Sequence, residues 1–555
     1  MGRSDLLDLL AILDALGLLS LVYVNVPGGA RLLFAVGFAA FVPGRAIVSN
    51  WPTLARWSEV AMSLVLSLVA VALVATVFLW AHAWHPLVLF QFEAWLSVVG
   101  LGLGAARRHE LLPPQARVRA SSRQRSASSD GTTAMCVGLV DLDGSEAIIG
   151  LDGSSLSDNE RARLLVRMHR APLGFVDVSA HPRRSLGRRT RAQAQTALEV
   201  AVQGHIACDA VAGDPMTSDL WFARAACPLE FPATGVDGLT IAVCTRDRTE
   251  PLGECLRALQ KVNGDRLEIL VVDNAPTEDK TRNLVMALGK RDPRIRYSCE
   301  HNPGLSNARN HALAVARFDH VAFTDDDVSV DPGWPNALAA GFALDPDVVC
   351  VTGLVASSTL GTVSDRHFDA RLPWREAFVP RRYDLDDHRL PDALYPFNAG
   401  VFGSGANFAV RATAVEKIGG FDNRLGVGSP GRGGEDLDIF VRLLEAGGRI
   451  CYLPSALVWR THVSDPALLR GQIYDYGHGL GAYFAKHLGE RDFRKALTRH
   501  GVSRVDSIFL RRQEASNEID RRRPGVGIAF TETMGLISGA LRYWWGSLGA
   551  TRNTA

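Results

Sequence analysis

Val321-Ala-Phe-Thr-Asp325-Asp326-Asp327 is an apolar run that ends without transition in three carboxylates. A short buried strand there would carry Asp325 and Asp327 out of the core at its end, and hard oxygen ligands suit Mg²⁺ or Mn²⁺. A metal–diphosphate site is one reading; a solvated acidic turn is the other, because Asp is a common turn residue and charge runs are commonly surface. The residues around the triplet separate the two.

Upstream, apolar strand-like and helix-like segments alternate from Gly238 onward: Leu239 to Cys244, a helix from Pro251, Leu267 to Val272, a helix through Leu288, Ile295 to Cys299, Leu305 to Ala316, then Val321 to Thr324. Such alternation predicts a parallel sheet covered by helices, with ligands beyond the carboxyl ends of the strands. Those ends are polar. The first runs into Thr245-Arg246-Asp247-Arg248, the second into Asp273-Asn274, and the fourth into the triplet. Downstream, Gly403-Ser-Gly-Ala-Asn407 is either a turn that lets backbone approach a sugar or a bulged hairpin. The run from Gly426 to Gly434 is glycine-rich enough to be expected as a mobile loop that orders over substrate. Glu435-Asp436 precedes apolar residues at Leu437, Phe440, Val441 and Leu444, which places the acidic pair at a helix start, opposite the expected buried stripe. A helix dipole alone would favour acids there.

Cys244-Thr-Arg-Asp-Arg248, Val271-Val-Asp-Asn274, Asn302-Pro-Gly-Leu-Ser-Asn-Ala-Arg-Asn310, Thr324-Asp-Asp-Asp327, Gly403-Ser-Gly-Ala-Asn-Phe-Ala-Val-Arg411 and Gly433-Gly-Glu-Asp-Leu-Asp438 follow one another in order. In these six segments, from Gly238 to Leu488, the chain resembles the inverting family 2 glycosyltransferases of the GT-A fold. The resemblance implies an α/β domain with a mostly parallel sheet, a nucleotide-sugar donor and a glycan or lipid-linked acceptor. It places Asp273 on the nucleotide base, with Thr245, Arg246, Arg248 and Arg309 at the base or phosphates and Asn407 at the sugar. Asp325 goes to ribose or metal, and Asp327 and His462 to Mg²⁺ or Mn²⁺, leaving Asp326 as a solvated or outer neighbour. Asp436 becomes the general base and Glu435 its orienting or acceptor-contacting neighbour. A phosphoryl-transfer enzyme and a non-catalytic membrane scaffold are the rivals. The first lacks a Gly-x-x-x-x-Gly-Lys-[Ser/Thr] loop.

The rest of the 555 residues divides by composition. Residues 1–110 hold four apolar stretches, Leu6 to Val26, Arg31 to Ser49, Val60 to Trp80 and Leu87 to Ala106, which read as a transmembrane region of about four helices, the third the clearest and long enough to cross a bilayer. With Arg45, Arg56, Arg107 and Arg108 placed by the positive-inside rule, the expectation is a multi-pass plasma-membrane protein, in contact with membrane lipid, whose catalytic domain is cytoplasmic. A cleaved signal peptide is not expected. Residues 111–133 read as a flexible linker and 134–230 as a small α/β domain of unassigned role. In the latter, Ser157-Asp-Asn-Glu160 looks like a capping box ahead of a helix over Ala162 to Met168. The glycosyltransferase-like domain is expected over 238–490 and a tail over 491–555, with an interfacial or membrane helix at 525–547. A net charge of +1 and no basic–aromatic patch argue against nucleic acid as a partner. Eight scattered cysteines without paired spacing read as reduced thiols.

Overall fold

A computed structural model describes residues 135–142, 148–151, 154, 156, 161–179, 185–211, 236–262, 266–361, 365, 369, 378–392, 394–461, 466–500 and 528–550, with single positions at 11, 38, 42, 43, 67 and 97. The chain divides into two units, Met1–Ser129 and Asp130–Ala555. The four apolar stretches of the first unit lie outside the described residues apart from those single positions. Among the described residues no helix is long and apolar enough to cross a membrane, which corrects the expectation of a multi-pass membrane protein.

The second unit begins with a four-stranded sheet of β1 (Cys136–Asp141), β2 (Ile149–Gly150), β3 (Ala162–Met168) and β4 (Ala171–Val178) in the order β2-β1-β3-β4. Helices α1 (Leu186–Ala197) and α2 (Glu199–Val211) follow. Ala162 to Met168 is thus a strand and not the helix its leucines, arginines and methionine suggest; the capping-box residues lie outside the described residues. The physical reason is tertiary. This segment runs parallel to β1 on one side and antiparallel to β4 on the other, and Ala162, Leu164, Leu165 and Val166 are fully buried, so packing overrides a weak local propensity. Leu165 and Val137 belong to the core of the larger domain that follows, and Arg167 reaches it through Asp331, 2.7 Å away.

That larger domain is a layered α/β fold. Its sheet is built from β5 (Leu239–Thr245), β6 (Leu267–Asn274), β7 (Ile295–Glu300), β8 (His320–Asp325), β9 (Val328–Val330), β10 (Val348–Ser357), β11 (Arg381–Tyr383), β12 (Asn407–Arg411) and β13 (Arg449–Arg460). Eight of them run in the order β11-β13-β10-β12-β8-β5-β6-β7, and β9 pairs with β13. Strands β5, β6 and β8 are nearly continuous apolar runs because helices cover both of their faces. Helix α3 (Thr249–Gln260) presents Leu252, Cys255, Leu256 and Leu259 to the core at the spacing of one helical face. Helices α4 (Lys280–Gly289) and α5 (Leu305–Val315) make the next two crossovers, and α6 (Trp334–Ala343) follows β9.

The sheet is mixed where a mostly parallel one was expected. The pairs β5–β6, β6–β7, β5–β8 and β10–β13 are parallel, while β8–β12, β10–β12, β11–β13 and β9–β13 are antiparallel. Strand β12 wedges between β8 and β10 against both their directions, so the crevice at the carboxyl end of β8 also receives the start of β12. After β12 come α7 (Ala412–Lys417), α8 (Glu435–Glu445), and, beyond β13, α9 (Pro466–His487) and α10 (Arg491–His500).

The final helix, α11 (Ile528–Ala550), covers the segment read as interfacial. It packs along α9, and the sequence shows why: glycines four apart face the partner backbone on both helices. A Cβ on Gly481 would lie 1.9 Å from the Leu536 carbonyl, and one on Gly539 would lie 1.9 Å from the His478 carbonyl. Gly477 and Gly535 approach Glu532 and Tyr474 in the same way, at 2.2 Å each. Tyr543 donates to Asp422 at 3.1 Å and Trp544 to the Ala485 carbonyl at 3.2 Å, so these aromatics hold α11 to protein. Gly481→Val should force the helices apart and cost about 1–3 kcal/mol in chemical denaturation, with α11 released to limited proteolysis. Gly471→Ala in the same helix, where an added Cβ meets nothing within 4 Å, should be tolerated.

Candidate active site

Three parallel strands deliver the first group of polar side chains. In register, Thr245 lies beside Asp273, and Cys244 beside Asp325, so the ends of β6, β5 and β8 stand side by side. Asp273 is fully buried. One of its oxygens accepts a 3.1 Å hydrogen bond from the Tyr297 hydroxyl, and the other, Oδ1, has no partner. Burial pushes this carboxyl above the ordinary aspartate range, against the opposing pull of the Tyr297 hydrogen bond. Next to it Asn274 secures the following loop: its Oδ1 accepts from Gly304 N at 2.8 Å and its Nδ2 donates to the Asn302 carbonyl at 2.8 Å. Gly304, at φ +125°, turns that loop into α5.

The acidic triplet divides its labour differently from expectation. Asp326, read as a solvated or outer neighbour, is 3% exposed and accepts from Thr245 Oγ1 at 2.6 Å and from Arg248. Burial pushes its carboxyl up to about 6. It is a buried tie between the ends of β8 and β5, and Thr245 and the half-exposed Arg248 are engaged in making that tie. Arg246 is exposed. Asp325 and Asp327 converge on one guanidinium that sequence reading passed over. Arg460, the last residue of β13, lies 3.4 Å from Asp325 and 3.7 Å from Asp327. The two carboxylates therefore face a common point that accepts a cation, and Asp327 Oδ1 is buried with no hydrogen-bond partner. Two hard oxygen donors of this kind fit Mg²⁺ or Mn²⁺ shared with substrate phosphates. His462 lies outside the described residues, and among those described no three His, Cys, Asp or Glu side chains gather as a metal set.

The second group is held from behind by Arg309. This guanidinium, 2% exposed, donates to Glu435 Oε1 at 2.9 Å and to the Gly405 carbonyl at 2.9 Å, and comes within 4.0 Å of Asp325. It is enclosed by Phe323, Phe408 and Phe421, with ring centroids 5.3–5.7 Å away. Arg309 is thus a positioning residue, spoken for by protein partners. Glu435 is buried with it, and does not lie opposite the buried stripe as the helical spacing predicted. Burial drives the Glu435 carboxyl upward, the Arg309 charge opposes this, and Asp436 adds to it.

Asp436 is the more open of the pair. Its Oδ2 accepts from Gly405 N at 2.7 Å and its Oδ1 from Leu437 N at 2.9 Å, which leaves each oxygen further lone-pair capacity. Gly405 is closely packed on both groups: a Cβ there would lie 2.9 Å from Asp436 Oδ2 and 3.2 Å from Arg309 Nη2. Asn407 corrects the expectation of a sugar contact. It is fully buried, donating to the Leu354 and Ala456 carbonyls at 2.9 and 2.7 Å and accepting from Trp334 Nε1 at 2.7 Å, so its hydrogen-bonding groups are spent inside the sheet.

The glycine-rich segment before α8, read as mobile, is a hydrogen-bonded turn. Ser429 bonds to the carbonyls of Arg424 and Gly426, Val427 accepts from Leu305 N at 2.8 Å, and His478 bonds the Pro430 carbonyl at 2.9 Å. Gly433 and Gly434 press onto Gly479 of α9: a Cβ on Gly434 would lie 2.7 Å from the Gly479 carbonyl oxygen, and one on Gly479 would lie 2.8 Å from the Gly433 Cα. Removing the charge that holds the acidic pair should therefore be costly. Arg309→Met should lower stability by about 3–5 kcal/mol, because Glu435 is left buried and unpaired. Adding Glu435→Gln should recover part of the loss in the same urea titration.

Residues 240–419 match the model of the Glycosyl transferase family 2 family, and residues 395–464 match one described as the N-terminal domain of galactosyltransferase. A Pre-mycofactocin glycosyltransferase of Mycobacterium tuberculosis is 32% identical over 162 residues, 29% of this chain and 31% of that protein. The Succinoglycan biosynthesis protein ExoM of Rhizobium meliloti is 31% identical over 225 residues, 40% of this chain and 65% of that protein. Among solved structures, a mannosyltransferase from Pyrobaculum calidifontis in complex with GDP-Man and Mn²⁺ aligns with a TM-score of 0.39 at 16% identity, over 64% of this chain and 98% of that one. The matched region of this chain contains the ends of β5, β6 and β8 and the start of β12, and this chain therefore carries a glycosyl transferase family 2 domain.

Proposed function

We propose that this chain transfers a sugar from a nucleoside-diphosphate donor to a hydroxyl of a glycan or lipid-linked acceptor, with inversion at the anomeric carbon. One observation carries the reading: the buried orphan oxygen of Asp273 and the converging Asp325 and Asp327 close the same end of one sheet, and Arg309, within 4.0 Å of Asp325, holds the start of the helix that carries Glu435 and Asp436. Asp273 meets the base. Asp325 and Asp327 would hold a divalent cation, which when bound offsets the charge that develops on the departing diphosphate.

The acceptor oxygen forms its bond to the anomeric carbon as the bond from that carbon to the diphosphate oxygen breaks, and the electron pair leaves with the nucleoside diphosphate. The acceptor proton passes to Asp436, the only member of the acidic pair that is not sequestered by Arg309. Glu435, through Arg309, fixes the turn that presents Asp436.

Two substitutions separate these roles. Asp436→Asn keeps the shape and the hydrogen bonds from Gly405 and Leu437, so nucleotide binding should remain near wild type while turnover falls about 10²-fold or more. Asp327→Ala should abolish the Mn²⁺-dependent part of nucleotide binding without unfolding the domain. Full turnover in Asp436→Asn with loss in Glu435→Gln would move the base by one residue. Unchanged Mn²⁺-dependent binding in Asp327→Ala would remove the metal assignment.

A further inference from the structure

We propose that Tyr297 makes the donor site select an imide base, uracil or thymine, over guanine, by occupying one of the two oxygens of Asp273. The proposal rests on the reading above that Asp273 meets the nucleotide base, and it names the base.

A carboxylate recognises a base by the N–H groups that the base presents on one edge. Guanine offers two adjacent donors, N1–H and the exocyclic N2–H, which pair best when each meets its own carboxylate oxygen. Uracil and thymine offer one, the N3–H between two carbonyls. Asp273 is built for one. The Tyr297 hydroxyl donates to its Oδ2 at 3.1 Å, while Oδ1 is buried and without a partner. A buried acceptor left unmade costs free energy, so this oxygen marks the place of a missing donor. The second guanine donor would have to share an oxygen that already accepts from Tyr297.

Tyr297 is also placed to meet a ligand. It stands on β7, the edge strand beside β6, and lines a cleft of about 620 Å³ open to solvent. The cleft is also lined by Ala275 and Pro276, which follow directly on Asp273 and Asn274, and by Arg282, Cys299 and His301. The tyrosine thus links the cleft to the carboxylate behind it. Adenine and cytosine pair each amino donor with a neighbouring ring nitrogen that is an acceptor, and that lone pair would face an acceptor-only carboxylate.

The test is equilibrium binding of UDP, dTDP, GDP, ADP and CDP to the full chain with Mn²⁺, for the wild type, Tyr297→Phe and Asp273→Ala. Expected in the wild type is a preference of about tenfold or more for UDP and dTDP over GDP, the scale of one lost hydrogen bond. Tyr297→Phe frees the second oxygen, so UDP binding should persist and GDP should come to within about threefold of it. Asp273→Ala should abolish the discrimination. Equal or tighter binding of GDP by the wild type would overturn the selection while leaving the donor-site reading intact. A wild-type preference for CDP or ADP would mean that Oδ1 carries a proton, and would overturn it as well. An unchanged UDP-to-GDP ratio in Tyr297→Phe would remove the role of the tyrosine. No binding of any nucleotide would defeat the donor site itself.

Discussion

The site depends on one buried cation. Arg309 sits in a cage of three phenylalanines, and its guanidinium joins three separate segments of the chain: Glu435 at the start of α8, the Gly405 carbonyl before β12, and the edge of Asp325 at the end of β8. A charge in such surroundings is tolerable only when paired, so the cage, the glutamate and the turn at Gly405 constrain one another. The aromatic rings keep water from competing. The consequence is a fixed geometry for Asp436, which hangs between the Gly405 amide and its own helix start, where its charge acts on Asp325.

Around that centre the fold supplies braces from outside the matched region. Helix α9 meets the turn before α8 glycine against glycine, and α11 locks α9 in place through the same device, at 1.9–2.2 Å from a would-be Cβ to a carbonyl. On the other side, the small four-stranded domain pins the segment after the triplet: Arg167 bonds Asp331, which also accepts from Gly333 N at the start of α6. Both additions act on backbone that leads directly into a carboxylate of the site.

The strand ends were legible in the sequence because a buried parallel strand writes itself as an unbroken apolar run, and Asp273 and Asp325 appear where such runs stop. The order of motifs was legible for the same reason. What could not be read was direction and partnership. Asn407 follows a glycine-rich turn and offers donor and acceptor alike, yet β12 inserts antiparallel beside β8 and turns its amide inward to Trp334. Arg460 carried no signal beyond closing an apolar strand, although the pairing of β13 with β9 brings it onto the triplet. Ala162 to Met168 has the composition of a helix and becomes a strand because two neighbours need it. Gly477, Gly481, Gly535 and Gly539 are spaced for a helix pair, but the apolar residues of α11 looked like a membrane surface until its partner was known.

The central claim is a transfer chemistry, and the most direct measurement follows its products. The full chain is incubated with Mn²⁺ and a panel of nucleotide sugars, with and without hydroxyl acceptors, while released nucleotide is identified by chromatography and the anomeric configuration of the product by NMR. The account predicts metal-dependent release of a nucleoside diphosphate from at least one donor, with the product inverted at the anomeric carbon. A phosphorylated product, retention of configuration, or no diphosphate from any donor would contradict it.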